Sequence, residues 1–402
     1  MRVLSTIFSA ALAATLTQAA LNETQIKARQ EERVRLGKRA TEAVVGSAEG
    51  FAAGVTGGAA GATVYPTTTT ELVSYLSSSS PLTIVLQQTF DFTTTSVSAT
   101  GCAPWGTGSA CQEAINANDW CTDYEPDAPS VTVSYSPAAT LGITITSNKS
   151  LIGSGSSGVI KGRGIRMVSG ASNIIVQNIE ITDLNPKYVW GGDGITLDGT
   201  DLIWIDHVTV SQTGRQQLVL GTDANSRVTV SYSNFDGSSS YSTACDSYAY
   251  WGLFFDGSQD LVTLKGNYIH HFRGRSPKVE GNTLLHAVNN YWYDYPSDGH
   301  AFEITSGGYV LVEGSVFQNV PVILDSDPTG QYFTSPSTTA NAACTAYLGR
   351  VCQVNGFGSS GTFSSSTTSF FSDFSGKNIA SAETYQWVQS NVIANAGIGV
   401  VD

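Results

Sequence analysis

A short pattern of alternating apolar residues recurs through the middle of the chain and constrains the fold more than any other feature. Such alternation predicts β-strands with one buried face. Successive stretches start 23–34 residues apart. A unit of that size cannot bury its own face, so neighbouring units have to stack as a solenoid. The six stretches are IIVQNIEI (174–181), IWIDHVTV (203–210), VTVSYSNF (228–235), VTLKGNYI (262–269), LHAVNNYW (285–292) and VLVEGSVF (310–317).

We predict an all-β chain folded as a single-stranded right-handed parallel β-helix, with short helical caps and long loops. The uneven spacing favours this solenoid, because loops of different length can leave each coil without disturbing the stack. An antiparallel β-sandwich or a β-propeller is the alternative. Glycine contributes 41 of 402 residues and charged residues only 13%, which is typical of β-structure with many turns. Four asparagines inside the units are predicted to bind turn backbone at the corners: Asn178, Asn267, Asn289 and Asn290.

The segments around the repeats carry separate signals. Residues 67–76 (TTTTELVSYL) are predicted to form a helix with a threonine N-cap, which would close the N-terminal end of the solenoid. Residues 381–397 predict a second helix that starts near Ser381 and stops at Gly397. The stretch 99–136 contains three cysteines, two tryptophans and several tyrosines. We interpret it as a long loop that disulfides cross-link, and loops of this kind often contain functional residues.

The N-terminus differs in composition from the rest of the chain. Residues 1–20 have an early arginine, an apolar run and two closing alanines, which is typical of a secretory signal; a membrane anchor is the alternative. Residues 21–39 are charged, lack aromatic residues and end in Lys38-Arg39. We expect a pro-segment here, and an ordinary N-terminal helix is the alternative. A single β-helix catalytic domain would then occupy residues 40–402 of a secreted, extracellular protein.

The charge balance narrows the classes of ligand. Residues 1–39 contain seven of the 20 Lys and Arg residues and three of the 33 Asp and Glu residues, so their removal leaves 13 basic and 30 acidic residues, a net charge near −17. A surface this acidic argues against binding to nucleic acid and to anionic membranes. It also disfavours a polyanionic substrate, unless a metal or a local basic patch compensates.

The cysteine and histidine residues give no sign of a metal site. The chain has six cysteines after the predicted secretory signal, and this even number predicts three disulfides, with 15 possible sets of pairings. No C-x-x-C spacing occurs, so zinc is not expected. His270 and His271 are adjacent, and on a strand their side chains would point to opposite faces. We therefore expect no metal and no cofactor. The cysteines are Cys102, Cys111, Cys121, Cys245, Cys344 and Cys352.

Aromatic residues cluster in or beside the predicted loops. Aromatic faces stack on the apolar CH surfaces of sugar rings, although core packing is an equally good explanation for any single one of them. Taken together, in an acidic chain without a nucleic-acid signature, they favour a carbohydrate polymer as ligand. The residues are Trp105, Trp120, Tyr124, Trp190 and Trp251.

Charged residues follow one another along the repeats. VWGGDGITL (189–197) places Asp193 just before a strand, and SQTGRQQ (211–217) places Arg215 at a turn. HFRGRSPKVEG (271–281) concentrates positive charge in an acidic chain. We expect this segment to lie on a strand, with Arg273 and Arg275 on the same side.

These motifs resemble those of secreted fungal-type pectin lyases within the pectate lyase superfamily, over essentially the whole chain from residue 47 onward. The resemblance implies a right-handed parallel β-helix and cleavage of methyl-esterified pectin by β-elimination. It implies that Arg275 is catalytic, that Asp193 and Arg215 line the same cleft, and that Trp105, Trp120, Trp190 and Trp251 line the substrate groove. It also implies the disulfides Cys102–Cys121, Cys111–Cys245 and Cys344–Cys352. The motifs are WGGDGI, WIDH, GRQQLVLGT, GRSPKVEGNTLLHAVNN and DGHAFEI.

Two departures from the calcium-dependent relatives are informative. Those relatives carry R-x-P-x-x-R, whereas Glu280 stands at the last position here. Arg215 takes the place of one of their acidic calcium ligands, and a guanidinium would repel the cation. We therefore expect no calcium requirement. Asp193 is expected to hold Arg215 in a bidentate pair.

Several alternatives remain open at the level of sequence. Arg275 either accepts a proton or stays charged and stabilises the intermediate. Lys278 is either a cleft residue or a solvated surface lysine. The rival functions are a calcium-dependent pectate lyase, a glycoside hydrolase with paired carboxylates, and a non-catalytic polysaccharide-binding protein. We expect a monomer, and Asn148 lies in a glycosylation sequon (NKS).

Overall fold

The computed structural model describes residues 43–401, so the predicted signal and pro-segment lie outside the described residues. Over this range the chain winds as a parallel β-helix, as predicted, and each complete coil adds one strand to each of three parallel sheets. The strands are numbered β1 to β31 along the chain.

Sheet 1 takes the first strand of each coil. Its strands, in spatial order, are β1 (Ala62–Val64), β2 (Leu82–Leu86), β8 (Lys149–Gly153), β11 (Ser172–Gln177), β15 (Asp201–Asp206), β18 (Ser226–Ser231), β21 (Asp260–Lys265), β24 (Thr283–Val288), β27 (Gly308–Glu313) and β30 (Gln331–Phe333). Sheet 2 follows it, with β3 (Thr89–Asp91), β9 (Val159–Lys161), β12 (Glu180–Thr182), β16 (Thr209–Ser211), β19 (Asn234–Asp236), β22 (Tyr268–His270), β25 (Tyr291–Tyr293), β28 (Val316–Gln318) and β31 (Gly356–Gly358).

Sheet 3 completes each coil. Its strands are β7 (Ile143–Thr144), β10 (Ile165–Val168), β14 (Ile195–Asp198), β17 (Leu218–Leu220), β20 (Leu253–Phe255), β23 (Lys278–Val279), β26 (His300–Ile304) and β29 (Val322–Leu324). A smaller sheet, called the side sheet, consists of β13 (Tyr188–Val189), β5 (Glu113–Ile115), β4 (Val97–Cys102) and β6 (Ser130–Tyr135).

The six repeated stretches lie in register on successive coils, as the sequence predicts. Each stretch begins in sheet 1 and ends in sheet 2, so it covers two short strands joined by a turn rather than one strand. Inward apolar side chains from all three sheets form one continuous core with almost no solvent exposure. The first residues of the six stretches are successive register partners: Ile174, Ile203, Val228, Val262, Leu285 and Val310.

The asparagines between sheets 1 and 2 have the structural role that the sequence predicts. Asn178 and Asn289 adopt a left-handed backbone conformation, with φ of 57° and 58°, at the turn. The Asn267 side chain donates to the Val230 carbonyl and to the Asn290 side chain, each at 2.9 Å. This ladder satisfies turn backbone groups that the stacked coils bury.

The outer face of sheet 1 is also covered, which the alternation pattern does not predict. The N-terminal segment crosses it, and its backbone N–H groups at Ala52 and Phe51 donate to the hydroxyls of Thr229 and Thr263, both at 3.1 Å. The Gly58 N–H donates to Ser150 at 2.9 Å. The threonine and serine side chains therefore fix a chain segment rather than face solvent.

Helices lie at the N-terminal end of the solenoid and in its loops, and the C-terminal helix packs against the outer face of sheet 2. The predicted N-terminal cap is present with Thr68 as N-cap, whereas the C-terminal helix starts at Tyr385, later than predicted, because Thr384 caps it. No helix within residues 43–401 is long and apolar enough to cross a membrane. The α-helices are α1 (Thr69–Ser77), α2 (Trp120–Tyr124), α3 (Thr338–Asn341), α4 (Thr345–Leu348) and α5 (Tyr385–Asn395); 3-10 turns occur at Gly50–Ala52, Ala117–Asp119, Pro137–Thr140, Ala342–Cys344 and Phe371–Phe374.

The segment 99–136 is not the long loop that the sequence suggests. Strands β4 and β6 pair antiparallel, and β5 joins them to form most of the side sheet. The sulfur pairs are Cys102–Cys121, Cys111–Cys245 and Cys344–Cys352, the same as the resemblance implies. Two of them anchor this segment, so the side sheet is a rigid flank of the solenoid.

Two local expectations for 271–281 are wrong. Residues 271–277 form a turn between β22 and β23 rather than a strand, and Arg275 has φ of 47°. The rings of His270 and His271 do not point to opposite faces either. His271 leaves the strand with φ of 58°, which brings its Nδ1 atom to 2.6 Å from that of His270.

Candidate active site

The charged residues predicted from the sequence meet along one edge of sheet 3. Asp193, Arg215, Trp251 and Arg275 each lie two or three positions before the strands β14, β17, β20 and β23, in that order. His300 is the first residue of the next strand, β26. Adjacent parallel strands are about 4.8 Å apart, so successive coils place these side chains next to one another. This line of side chains is called the row; it contains Asp193, Arg215, Trp251, Arg275 and His300.

Asp193 and Arg215 form the bidentate pair that the sequence predicts. Arg215 Nε donates to Asp193 Oδ1 at 2.9 Å and Nη2 donates to Oδ2 at 2.6 Å. The backbone N–H of Gln216 adds a third bond to Oδ1 at 3.0 Å. Burial lowers the pKa of Arg215, but the hydrogen bonds and charge of Asp193 outweigh burial and raise it overall. Arg215 is therefore a fixed cation, and its guanidinium lies 4.4 Å over the Trp190 ring.

Arg275 is surrounded by aromatic rings. Its guanidinium carbon lies 5.4 Å from the Tyr250 ring centre, 5.2 Å from that of Trp251 and 5.5 Å from that of Phe254. Rings at this distance attract a cation through their quadrupole and hold its plane in place. The Nε atom is buried without a hydrogen bond to the described residues. Packing against these three rings therefore helps to position the residue.

Glu303 supplies the opposite charge. Its Oε2 atom lies 3.5 Å from Arg275 Nε, and its Oε1 atom accepts from the Tyr250 hydroxyl and His300 Nε2, both at 2.9 Å. Burial raises the pKa of Glu303, but the His300 hydrogen bond and the Arg275 charge reverse this and lower it. Burial and the charge of Glu303 raise the pKa of Tyr250 to about 12, so the phenol stays neutral and donates.

Lys278 faces the row rather than open solvent. It is a register partner of Phe254 on one side and of Glu303 on the other. Its Nζ atom lies 3.0 Å from Glu280 Oε2 and 5.2 Å from the Phe254 ring centre. Glu280 also accepts from the Thr305 hydroxyl at 2.7 Å. The residue that departs from the R-x-P-x-x-R pattern is therefore the counter-ion of Lys278.

The five predicted aromatic residues form one wall beside the row. Trp120 is central, with its ring centre 6.3 Å from Trp105, 6.1 Å from Trp190 and 6.4 Å from Tyr124. Trp105 continues the wall to Trp251 at 6.3 Å. Tyr124 is 72% exposed and ends the wall in solvent. The disulfides Cys102–Cys121 and Cys111–Cys245 fix the segments that carry these rings.

Some predicted residues lie elsewhere. Arg273 is bound to Asp246 and Asp298 and ties two loops together rather than joining Arg275. Asp206 of the WIDH motif lies in sheet 1, where it accepts hydrogen bonds from Gln177 and Ser231. These contacts give Arg273 and Asp206 structural roles outside the row.

Four residues of the site were not identified from the sequence as functional. Tyr250, Phe254, His300 and Glu303 surround Arg275, yet no role follows from their types alone. Two signals were present: YAYWG contains Tyr250 next to Trp251, and DGHAFEI contains His300 and Glu303 three positions apart on one strand. Only the register of sheet 3 shows which of their side chains face Arg275.

The site offers poor ligands for a calcium ion. Calcium takes six to eight oxygen ligands, and both carboxylate oxygens of Asp193 are engaged by Arg215. The Glu303 carboxylate is shared among Arg275, Tyr250 and His300. The carboxylates of the row are thus already engaged by protein donors.

Comparisons with known proteins agree on one family. The family model for pectate lyase matches residues 10–401. A protein of Neosartorya fischeri named probable pectin lyase A is 68% identical over 360 residues, which is 89% of this chain and 95% of that protein. Pectin lyase B of Emericella nidulans is 66% identical over 358 residues, 89% of this chain and 94% of that protein. The crystal structure of a Bacillus pectate lyase in complex with trigalacturonate is 19% identical, with a TM-score of 0.53 over 89% of this chain and all of that one.

Proposed function

The chain belongs to the pectate lyase family and is a polysaccharide lyase, and we propose that it is a pectin lyase acting on methyl-esterified galacturonan. It cleaves (1,4)-α-D-galacturonan methyl ester within the chain, by β-elimination, and releases 4,5-unsaturated oligosaccharides. It needs no calcium. The names of its relatives at 68% and 66% identity support the activity; the geometry of the row supports the esterified substrate.

The reaction requires stabilisation of negative charge beside C5. The C5 proton passes to solvent, the electron pair of the C5–H bond forms the C4=C5 double bond, and the C4–O bond to the neighbouring sugar breaks. The leaving oxygen takes up a proton from solvent, so the net change is one bond cleaved and one double bond formed. The C5 hydrogen is acidic only because of the adjacent C6 carbonyl. A free carboxylate stabilises the carbanion poorly, whereas a neutral methyl ester withdraws electrons better. An esterified substrate thus removes the need for a metal to neutralise charge.

The engagement of Asp193 by Arg215 carries this proposal. In the row, the carboxylate that could contribute to a calcium site is neutralised by a fixed cation through two side-chain hydrogen bonds. Arg215 and Arg275, each paired with a carboxylate of the protein, then face a substrate that has little charge. The acidic mature chain, near −17, also repels demethylated galacturonan.

Arg275 is the catalytic residue of the proposal. Donors aimed at developing charge in a partly dry site are worth more than donors in water. The Glu303 carboxylate lies 3.5 Å from Arg275 Nε and holds the guanidinium on that side. We therefore assign to Arg275 the stabilisation of the enolate-like intermediate at the ester carbonyl. The aromatic wall, from Tyr124 through Trp120 to Trp251, binds successive sugar rings by stacking.

The test measures unsaturated product by absorbance on highly methyl-esterified pectin with excess chelator. We expect full activity there, and a loss of at least about 1,000-fold in kcat for Arg275→Ala, the scale on which single stabilising donors act. Arg273→Ala is the matched control, since this arginine binds Asp246 and Asp298 instead. Wild-type activity in Arg275→Ala would refute the site, and a requirement for calcium would refute the substrate.

The proposal also covers the setting of the enzyme. We propose a secreted, extracellular monomer in which the signal 1–20 and the pro-segment 21–39 are removed from a single domain, 40–402. Three disulfides within residues 43–401 support an oxidising compartment. Asn148 is half-buried with φ of 59° at the turn before β8, and we propose that it carries an N-linked glycan. Mass spectrometry of the secreted protein tests both, with Ala40 expected as first residue.

A further inference from the structure

A second cluster of ligating side chains lies on sheet 2, outside the row described above. Asp236 at the end of β19 and His270 at the end of β22 are register partners on adjacent coils. His271 follows directly in the turn. One ligating atom from each of the three residues lies within 4.8 Å of the others. From this geometry we propose that Asp236, His270 and His271 bind a divalent transition-metal ion, with zinc as the representative ion.

The contact between the two histidines is the main observation. Their Nδ1 atoms are 2.6 Å apart, and Asp236 Oδ1 lies 3.6 Å from His270 Nδ1. The outer nitrogens both face acceptors: His270 Nε2 lies 2.9 Å from Asn234 Oδ1, and His271 Nε2 lies 3.2 Å from Asp294 Oδ2. Each outer nitrogen therefore carries its proton, which leaves an Nδ1 lone pair on both rings.

Two lone pairs that face each other repel, so the contact needs a positive charge between them. Either a proton or a metal ion can provide it. Asp236 Oδ1, 3.6 Å from His270 Nδ1, adds a third ligating atom beside the same point, and a set of three convergent ligands is what a metal ion requires.

The arrangement also has the outer contacts that metal-binding histidines show in proteins. Such histidines almost always donate their other N–H to a carboxylate or a carbonyl, which fixes the tautomer. Asn234 and Asp294 supply those acceptors here. The Tyr268 ring, 4.1 Å from the His270 ring centre, fixes the imidazole plane.

Two imidazoles and one carboxylate select the class of ion. This set suits zinc and its neighbours and not calcium, which takes oxygen ligands. Tetrahedral zinc at about 2.1 Å from each ligand places ligand atoms about 3.4 Å apart, between the two distances of 2.6 and 3.6 Å observed here. The Asp236 side chain is 32% exposed, so the ion can enter from solvent and keep a water as fourth ligand.

The ion would have a structural effect on the distant row. It would link two coils of sheet 2 and fix His271 at the start of the turn that carries Arg275 four residues later. The site would therefore stabilise the coil stack and the position of the catalytic turn, without contact with substrate.

The test uses the full protein, stripped of metal with a chelator that is then dialysed away. Zinc chloride is titrated by calorimetry, and melting is followed with zinc or calcium. We expect one equivalent of zinc to bind, and Tm to rise by about 3 °C when zinc exceeds Kd about 100-fold. Calcium should leave Tm unchanged. Long-range ¹H–¹⁵N spectra should show both Nδ1 resonances shift with zinc.

Variants separate this site from adventitious binding. Asp236→Asn and His271→Gln each remove one ligand and should weaken zinc binding at least about 10-fold. Asp183→Asn is the matched control, because it removes a carboxylate that follows β12 and pairs with Lys161; it should bind as the wild type does. The proposal is overturned if wild type binds no zinc, if the ligand variants bind equally well, or if both Nδ1 resonances stay unchanged.

Discussion

The Nε atom of Arg275 lies 3.5 Å from the Oε2 atom of Glu303, a residue on the next coil. The carboxylate cannot turn away from the guanidinium, because the Tyr250 hydroxyl and His300 hold its other oxygen. Glu303 thus couples Arg275 to strand β26. In the proposed reaction this makes Glu303 a positioning residue, since it would act on the substrate through Arg275.

Glu303→Gln keeps the shape of the side chain and removes its charge. We expect kcat to fall about 10-fold with little change in KM, because a charge-assisted contact to Arg275 is lost. Asp325→Asn removes a charge that lies 3.9 Å from His300 and is the control. A kcat that rises in Glu303→Gln would show that Arg275 acts as a neutral base.

Asp193→Asn tests the second ion pair of the row. The change leaves the half-buried Arg215 without its bidentate partner, and an unpaired buried charge is costly. We expect kcat/KM to fall at least about 10-fold and added calcium not to restore it. Asp201→Asn breaks a comparable but more exposed pair with Arg227 and should leave activity unchanged. Rescue of Asp193→Asn by calcium would contradict the role given to Arg215.

Tyr124 tests the aromatic wall where it is most exposed. Tyr124→Ala should raise KM several-fold at nearly constant kcat, because stacking on sugar rings far from the reacting bond contributes mainly to binding. Its 72% exposure means that stability should hardly change. Tyr65→Ala, at a 38% exposed tyrosine outside the wall, is the comparison. An equal KM in both variants would remove Tyr124 from the binding surface.

Glu313 should make the free energy of unfolding decrease as the pH falls into the acid range. Burial raises its pKa, but hydrogen bonds from His286 and Arg350 reverse this and lower it from 4.5 to about 2. A depressed carboxyl pKa stabilises the fold above the unfolded value, so this contribution should decline as pH falls from about 4.5 towards 2. Urea unfolding across this range should show a loss of about 3 kcal/mol.

The variant Glu313→Gln tests whether Glu313 causes the loss of stability between pH 4.5 and 2. The variant should be less stable at neutral pH and should lose less stability between pH 4.5 and 2. Asp127→Asn, on an exposed loop, should keep the wild-type pH dependence. If Glu313→Gln shows the full wild-type decline, another group is responsible for it.

The sequence predicted the solenoid well because the repeat is local and periodic. Ile174 and its five register partners recur with the same alternation, and stacking follows from that pattern. The side sheet escaped prediction because β4 and β6 pair once, antiparallel, without a period to reveal them.

The site was predictable in part. Asp193, Arg215 and Arg275 were identified because they lie in the motifs WGGDGI, GRQQLVLGT and GRSPKVEGNTLLHAVNN, which resemble those of pectin lyases. Glu303 did not, because its contact with Arg275 depends on the register between Lys278 and Glu303 and on the left-handed backbone of Arg275. The pairing of His270 with His271 depends in the same way on a positive φ, which strand periodicity does not anticipate.

The most direct measurement is the rate of unsaturated-product formation on one pectin preparation de-esterified in steps, with chelator throughout. The neutral-substrate account predicts the highest rate at the highest methyl-ester content and a steady decline as carboxylates appear, with no recovery when excess calcium replaces the chelator. A rate that rises as esters are removed, and that depends on calcium, would contradict it.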